Sequence, residues 1–264
     1  MAGKVKNTEL ESHMIKSLST DFSSKHYLNK TLAISLLIFF SPWFAGCKSD
    51  NDAANSSINL DRTWSSYKGD EASTSYSPLD EINVSNVGQL KNAWTFQMND
   101  LAPGEEPVSS QGNPIIVDGV MFANSGKQTV YAIDAATGKE VWACQTLEEG
   151  TPSAASRGVT YWEKGDDKRI FYSSGNSLIA INAKTGAVIE SFGTDGRVNL
   201  NEGMRDDPTK ISITLSSPGR IFKDLIIIGA RTPDLYGAPP GYIRAYDCKT
   251  GKLEWTFHTI PHPG

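Results

Sequence analysis

The chain has 264 residues, including 23 glycines and 13 prolines, and its formal net charge is −5. Lysines and arginines are scattered along the chain instead of clustered, which argues against a nucleic-acid-binding surface. Outside the N-terminal leader no long segment has a 3.6-residue apolar period, so we expect an all-β chain and no helical domain.

The N-terminal 47 residues have the pattern of an export signal. Lys25 and Lys30 precede an apolar run over residues 32–44, and small residues then lead to Cys47. A basic segment, a short apolar run and small residues before the cut are typical of a secretory signal peptide. Small residues directly before a cysteine also indicate a bacterial lipobox. We therefore predict a signal peptide over residues 1–47, with acylation of Cys47 as the mature N-terminus.

Two alternatives to the lipobox remain open: an ordinary signal peptide with an incidental cysteine, and an uncleaved anchor. Residues 1–13 are polar and long for a basic segment, which makes Met14 an alternative start. Lys48 follows the cysteine and weakly favours the outer membrane over the inner one. Residues 48–59 are rich in Asn, Asp, Ala and Ser and are predicted to form a flexible tether. We therefore expect a lipid anchor on the periplasmic side of a bacterial membrane.

Three stretches of the remaining chain, 131–142, 179–190 and 244–255, have nearly the same sequence. In each, an alternating apolar segment runs into Asp/Asn-x-x-Thr-Gly, and a second alternating segment follows. This pattern predicts two strands joined by a tight turn, in which glycine supplies a positive φ and the Asp or Asn side chain caps backbone N–H groups. The copies are 48 and 65 residues apart, so each has room for about four strands, the size of a propeller blade.

The second copy departs from the pattern. Glu190 stands where the other copies have tryptophan, and Phe192 is predicted to replace it as the apolar plug between units. Cys144 and Cys248 are the cysteines outside the leader. Export permits a disulfide between them, but their spacing does not indicate one. We interpret both as buried or edge thiols.

The segment before the first repeat is more specific than the repeats. It runs from Trp64 through Tyr67, Asp70 and Tyr76-Ser-Pro78 to Trp94, and it resembles the start of the pyrroloquinoline quinone (PQQ) dependent dehydrogenases. The membrane-associated glucose and quinate dehydrogenase branch is the most similar. Further matches follow in chain order at 113–115, 157–162, 216–218 and 241–247. The resemblance covers residues 60–264.

The resemblance implies an eight-bladed β-propeller, with PQQ and a divalent metal, usually Ca²⁺, on its axis. This chain would hold about the first three to four blades, as the N-terminal part of a periplasm-facing enzyme that oxidises a sugar, polyol or alcohol hydroxyl. Electrons would pass to the respiratory chain through a quinone or cytochrome c. The family's catalytic base lies beyond the region represented here, so we expect no catalytic residue in this chain and no turnover from it alone.

The resemblance also assigns candidate site residues. Arg157 matches the arginine that pairs with a cofactor carboxylate, and Gln111 stands where many members have a glutamate that hydrogen-bonds the cofactor. Thr214 and Ser216 are candidates for hydroxyl contacts to the cofactor. Asp234 matches an acidic metal ligand. Without the resemblance, these residues would be interpreted as a surface arginine, strand hydroxyls and a turn aspartate.

Two further features bear on function. Some alcohol-oxidising relatives have two adjacent cysteines before the matched arginine, whereas residues 151–155 contain none, which favours the sugar or polyol branch. His258 and His262 are interpreted as structural or solvent-facing, because prolines on both sides of His262 prevent a helix that would align them. The alternatives are a non-enzymatic propeller scaffold of the outer-membrane barrel assembly type and a pseudoenzyme, the latter suggested by Gln111 and Glu190.

Overall fold

The computed structural model describes residues 64–101, 104–106, 108–147, 155–204, 207 and 210–261. The predicted signal peptide, the lipobox at Cys47, the tether and His262 lie outside the described residues. Within the described ranges, no helix is both long and apolar enough to cross a membrane.

The described chain is all-β, as predicted. It contains three four-stranded antiparallel sheets, each a meander of consecutive strands, and a single 3₁₀ turn at Val87–Gln89. The strands of the first sheet are β1 Ile115–Val117, β2 Val120–Asn124, β3 Thr129–Asp134 and β4 Glu140–Gln145. Those of the second are β5 Thr160–Lys164, β6 Asp167–Ser174, β7 Ser177–Asn182 and β8 Arg197–Asn199. Those of the third are β9 Arg220–Phe222, β10 Leu225–Ile228, β11 Ile243–Asp247 and β12 Leu253–Phe257.

The repeats form hairpins in the first and third sheets, as the turn pattern predicted. In the first, the Oδ1 atom of Asp134 accepts a hydrogen bond from the backbone N–H of Thr137 at 2.7 Å. Gly138 closes the turn with φ +71°. In the third, Asp247 accepts from the N–H of Thr250 at 2.8 Å. These local bonds fix the strand register on both sides of each turn.

The second sheet differs from the prediction of a continuous return strand after the repeat turn. After the repeat turn, Val188 forms an isolated antiparallel bridge with Ile181, and the strand pairing then stops before residues 190–196. The chain rejoins the sheet as β8, which pairs with β7. The break occurs because Gly193, Asp195 and Gly196 all have positive φ values of 52–79°, which a strand does not accommodate.

Each four-stranded sheet corresponds to one of the predicted blades. Large aromatic side chains join one blade to the next. The Trp94 indole lies against the first repeat turn and donates a 3.1 Å hydrogen bond to the Ala135 carbonyl. Trp142 does the same to the second turn, with a 3.1 Å bond to Ala183. The fully buried Phe192 lies against Gly251 of the third turn. The prediction that Phe192 serves as the plug is therefore confirmed.

The opening segment joins the first blade to the third. The Ile116 N–H in β1 donates a 2.8 Å hydrogen bond to the Trp64 carbonyl. The Arg220 guanidinium in β9 donates to the carbonyl of Tyr67 at 3.2 Å and also bonds the Ser73 hydroxyl. Residues 64–73 therefore contact the inner strands of two blades that are not adjacent in the chain.

Candidate functional site

Main-chain hydrogen bonds link the three blades through the residues just before their first strands, β1, β5 and β9. We call these residues, near Asn113, Arg157 and Ser216, the inner edges of the blades. The Asn113 N–H donates to the Arg157 carbonyl at 2.8 Å, and the Arg157 N–H donates to the Ser216 carbonyl at 2.8 Å. Gly158 permits this approach, since it has φ +141° and an added Cβ would lie 2.7 Å from the Asn113 oxygen. The three segments therefore form one continuous surface at this end of the blades.

Arg157 presents its side chain at this surface. It is exposed, and its Nη1 atom donates a 3.3 Å hydrogen bond to the Ser217 hydroxyl. A guanidinium has five N–H donors, and among the described residues only this one bond of the Arg157 side chain is formed, so further donors can bond an anion. A carboxylate is the ligand that fits its planar fork.

Ser216 lies beside Arg157, because its carbonyl accepts the hydrogen bond from the Arg157 N–H, and Thr214 lies two residues earlier in the same segment. The hydroxyl contacts of both residues to the cofactor stay a prediction. The backbone of Thr214 pairs with that of Arg231 through two hydrogen bonds of 3.2 and 2.8 Å. This pairing borders a pocket of about 190 Å³. Its lining is Leu215, Ser216, Ser217, Pro218, Gly229, Ala230 and Arg231. As far as the described residues go, this lining contains an arginine and two serine hydroxyls and no acidic side chain, which suits a ligand that carries several carboxylates.

Arg231 is a residue that the sequence analysis missed. It precedes Asp234 by three residues, and the turn-like Thr-Pro sequence between them drew attention to the aspartate alone. The backbone pairing with Thr214, 17 residues earlier, places Arg231, an exposed residue, in the lining of the pocket.

Gln111 and Asp234 are on the same end of the blades, but within the described ranges no side-chain hydrogen bond or ion pair joins them to the other candidates. Gln111 is exposed two residues before Asn113, and Asp234 is exposed in the loop that follows Arg231. Among the described residues no group of three or more His, Cys, Asp or Glu side chains could hold a metal ion. A divalent metal therefore does not fit the described residues alone, and the metal role of Asp234 stays a prediction.

The remaining candidates are structural. His258 is exposed and packs edge-on against Tyr242, with ring centroids 4.4 Å apart. Cys144 and Cys248 are free and buried, which confirms their interpretation as buried thiols. Burial raises the pKa of both thiols, and that of Cys248 reaches about 12. Both sulfurs are therefore protonated at neutral pH and are poor nucleophiles.

Comparison with known proteins identifies the family. The PQQ-type glucose/ethanol/alcohol dehydrogenase β-propeller domain matches residues 64–264. The dehydrogenase subunit of the quinone-dependent alcohol dehydrogenase of Gluconobacter oxydans is 36% identical over 76% of this chain and 25% of its own length. The quinate/shikimate dehydrogenase (quinone) of Acinetobacter baylyi is 31% identical over 78% of this chain and 28% of its own length.

The fold agrees with these matches. The crystal structure of the quinohemoprotein alcohol dehydrogenase of Comamonas testosteroni superposes with a TM-score of 0.63 at 30% identity, over 78% of this chain and 29% of that one. The chain spans about a quarter of the length of the curated relatives it matches. The family match and the superposed blades together assign this chain to the PQQ-dependent dehydrogenase family, as part of its β-propeller domain.

Proposed function

We propose that the linked inner edges of the three blades form part of a PQQ-binding surface in a quinoprotein dehydrogenase. The observation that carries the proposal is the convergence of Arg157 with the segment of Thr214 and Ser216. The pocket at this surface is lined, within the described part of the chain, by no acidic side chain. PQQ carries three carboxylates and an ortho-quinone, and when bound it supplies a carbonyl that accepts hydride from a substrate hydroxyl carbon.

In this proposal the residues of the chain bind and orient the cofactor. Arg157 pairs with one carboxylate through its planar fork. Ser216 and Thr214 donate hydroxyl hydrogen bonds, and Gln111 donates from its amide without adding charge. Arg231 adds positive charge at the pocket edge. No residue of this chain is assigned as the catalytic base.

Asp234 is proposed to contribute one oxygen to a divalent cation beside the cofactor, with Ca²⁺ favoured because that ion prefers oxygen ligands. The described residues contain no group of three or more His, Cys, Asp or Glu side chains that could hold the ion, so no second ligand among them is proposed. The test of Asp234 is therefore the metal dependence of cofactor binding in the complete protein.

The substrate is proposed to be a sugar, polyol or alcohol whose hydroxyl is oxidised. The relatives reported above act, by their names, on alcohols and on quinate or shikimate, which share an oxidisable hydroxyl group. The absence of adjacent cysteines at 151–155 favours the sugar or polyol side of this range. A quinone or cytochrome c is the proposed electron acceptor. A lipid at Cys47 is proposed to hold the protein on the periplasmic side of a membrane, with the outer membrane favoured.

The scaffold alternative is less well supported. A barrel-assembly scaffold would need the repeats and a lipid anchor, but it would not need an exposed arginine held between two neighbouring inner edges. Membership of a dehydrogenase family also argues against it. The PQQ titration described next distinguishes a cofactor-binding dehydrogenase from a scaffold.

The experiment is a titration of the protein made from its complete gene with PQQ in the presence of Ca²⁺, followed by tryptophan fluorescence. We expect saturable binding that EDTA weakens. Arg157→Ala should raise the dissociation constant about 10- to 100-fold, the equivalent of one charge-assisted hydrogen bond. Lys249→Ala removes an exposed positive charge at the opposite end of the third blade and should have no effect. Absence of saturable binding by the unmodified protein, or equal affinities in the two variants, would contradict the proposal.

A further inference from the structure

Arg244 is a fully buried cation in β11. Its exposed fraction is 0%, and among the described residues its side chain bonds main-chain carbonyl oxygens and no carboxylate. A charge removed from water is costly unless its hydrogen bonds are satisfied. Burial accordingly lowers the pKa of this guanidinium from its ordinary value. A hydrophobic side chain at this position would avoid this cost. The hydrogen bonds that Arg244 makes therefore indicate its structural role.

The guanidinium of Arg244 holds two carbonyl groups in the neighbouring blade. Its Nη1 atom donates to the Glu202 carbonyl and its Nη2 atom donates to the Leu200 carbonyl, both at 2.8 Å. The cation also lies over the Tyr246 ring, with 5.7 Å from Cζ to the ring centroid. A guanidinium is the side chain whose planar fork can bond two such oxygens at once.

These two carbonyls belong to the start of a long connection, residues 200–219, between β8 and β9. The connection closes on itself through the buried side chain of Asn201. Its Nδ2 atom donates to the Ile211 carbonyl and its Oδ1 atom accepts from the Ile213 N–H, both at 3.0 Å. The position of residues 200–202 is therefore transmitted to residues 211–213.

The end of the same connection contains the candidate cofactor contacts. Thr214 follows Ile213 directly and pairs with Arg231, and the Ser216 carbonyl accepts the 2.8 Å hydrogen bond from the Arg157 N–H. Hydrogen bonds of 2.8–3.0 Å, connected by short stretches of backbone, thus lead from Arg244 to the segment that bonds Arg157.

We propose that Arg244 is a positioning residue for the cofactor surface: it fixes the start of the 200–219 connection and thereby keeps Thr214 and Ser216 beside Arg157. The inference rests on the proposed function, because the segment it positions is the one proposed to bind PQQ. Arg244 itself does not reach the ligand. Apolar burial of Leu200 and Ile213 also holds this connection, so the test must separate local positioning from general stability.

Arg169 provides a matched control. It is also a buried arginine, 7% exposed, and its Nη1 atom donates to the carbonyls of Cys248 and Lys249 at 3.1 and 2.8 Å. It differs in having an ion pair with Asp167. The turn that it holds lies at the end of the third blade away from Ser216. Substitution of Arg169 should therefore loosen the opposite end of the blade.

The experiment compares Arg244→Lys and Arg169→Lys in the protein made from its complete gene, by hydrogen exchange of individual amides and by PQQ titration. For Arg244→Lys we expect hydrogen exchange to become about tenfold faster at the Ile213 and Arg157 N–H groups and to change little at the Cys248 N–H. We also expect PQQ to bind about tenfold more weakly. Both effects correspond to the loss of one charged hydrogen bond. For Arg169→Lys we expect faster exchange at Cys248 and unchanged PQQ affinity. If Arg244→Lys does not fold, Arg244→Gln keeps a donor without the buried charge and replaces it.

Each result has a separate meaning. Exchange that rises equally across all three blades in Arg244→Lys would overturn the inference, because Arg244 would then act on stability alone. Unchanged exchange at Ile213 and Arg157 would overturn it as well, even if the unmodified protein binds PQQ and the proposed function stands. Failure of the unmodified protein to bind PQQ would refute the proposed function and, with it, the cofactor part of the inference. The exchange pattern would then still test whether Arg244 holds the 200–219 connection.

Discussion

Substitution of Gly186 by alanine tests how the blades are joined. Gly186 has φ +75°, and an added Cβ would lie 2.7 Å from the Cδ2 atom of the Trp142 indole. Gly165 in the same blade has φ +62° and nothing within 4 Å of its Cβ position. Both substitutions place alanine in the left-handed region, at a cost of about 1–2 kcal/mol. Only Gly186→Ala also forces the indole away from the turn.

The indole displacement has a magnitude of its own. Overpacking of a well-packed contact costs about 1–3 kcal/mol, and movement of the ring also strains the 3.1 Å hydrogen bond from Trp142 to the Ala183 carbonyl. We therefore expect Gly186→Ala to lower the free energy of unfolding by about 1–3 kcal/mol more than Gly165→Ala does. Urea unfolding followed by far-UV circular dichroism measures this as a lower midpoint at equal slope. Equal midpoints for the two variants would refute the idea that the aromatic residue on the next turn joins adjacent blades.

Two further predictions follow from the titratable groups. Because burial raises the pKa of Cys144 and brings that of Cys248 to about 12, neither thiol of a Cys47→Ser variant should react with DTNB at pH 8 until urea is added; rapid labelling of the native variant would contradict their burial. Hydrogen bonds from the threonine three residues later lower the pKa of Asp134 below its ordinary value of 3.8. The carboxylate therefore stabilises its turn at higher pH and ceases to do so as the pH falls through the lowered value. Relative to intrinsic rates, amide exchange in this turn should increase below about pH 3.8, whereas the turn capped by the uncharged Asn182 should not change; equal behaviour of the two turns would show that the charge is not needed.

The fold was predictable where its signals are local. The Asp-x-x-Thr-Gly turns form the hairpins that their sequence indicates, because the capping oxygen and the positive-φ glycine lie within four residues of each other. Phe192 was predictable as a plug because it is the nearest aromatic residue to Glu190, which stands where the other copies have tryptophan. The break in the outer strand of the second blade was not predicted. It depends on Asp195, which adopts φ +52° between two glycines without being a glycine itself.

The sequence named candidate site residues but not the contacts between them, and the roles of these residues stay a prediction. Arg157, Thr214 and Ser216 were identified through a family resemblance, and the structure brings them together through hydrogen bonds between segments about 60 residues apart. Spacing alone does not predict such contacts. Arg231 and Arg244 were missed for the same reason, because their partners lie in other strands or in the neighbouring blade.

The most direct test of the central claim is a crystal structure of the protein made from its complete gene, grown with PQQ and Ca²⁺. We predict density for PQQ at the inner edge of the three blades, with a carboxylate against the Arg157 guanidinium, the Thr214 and Ser216 hydroxyls within hydrogen-bonding distance, and Asp234 near the cation. PQQ bound elsewhere, with Arg157 facing solvent, would contradict the proposed cofactor surface.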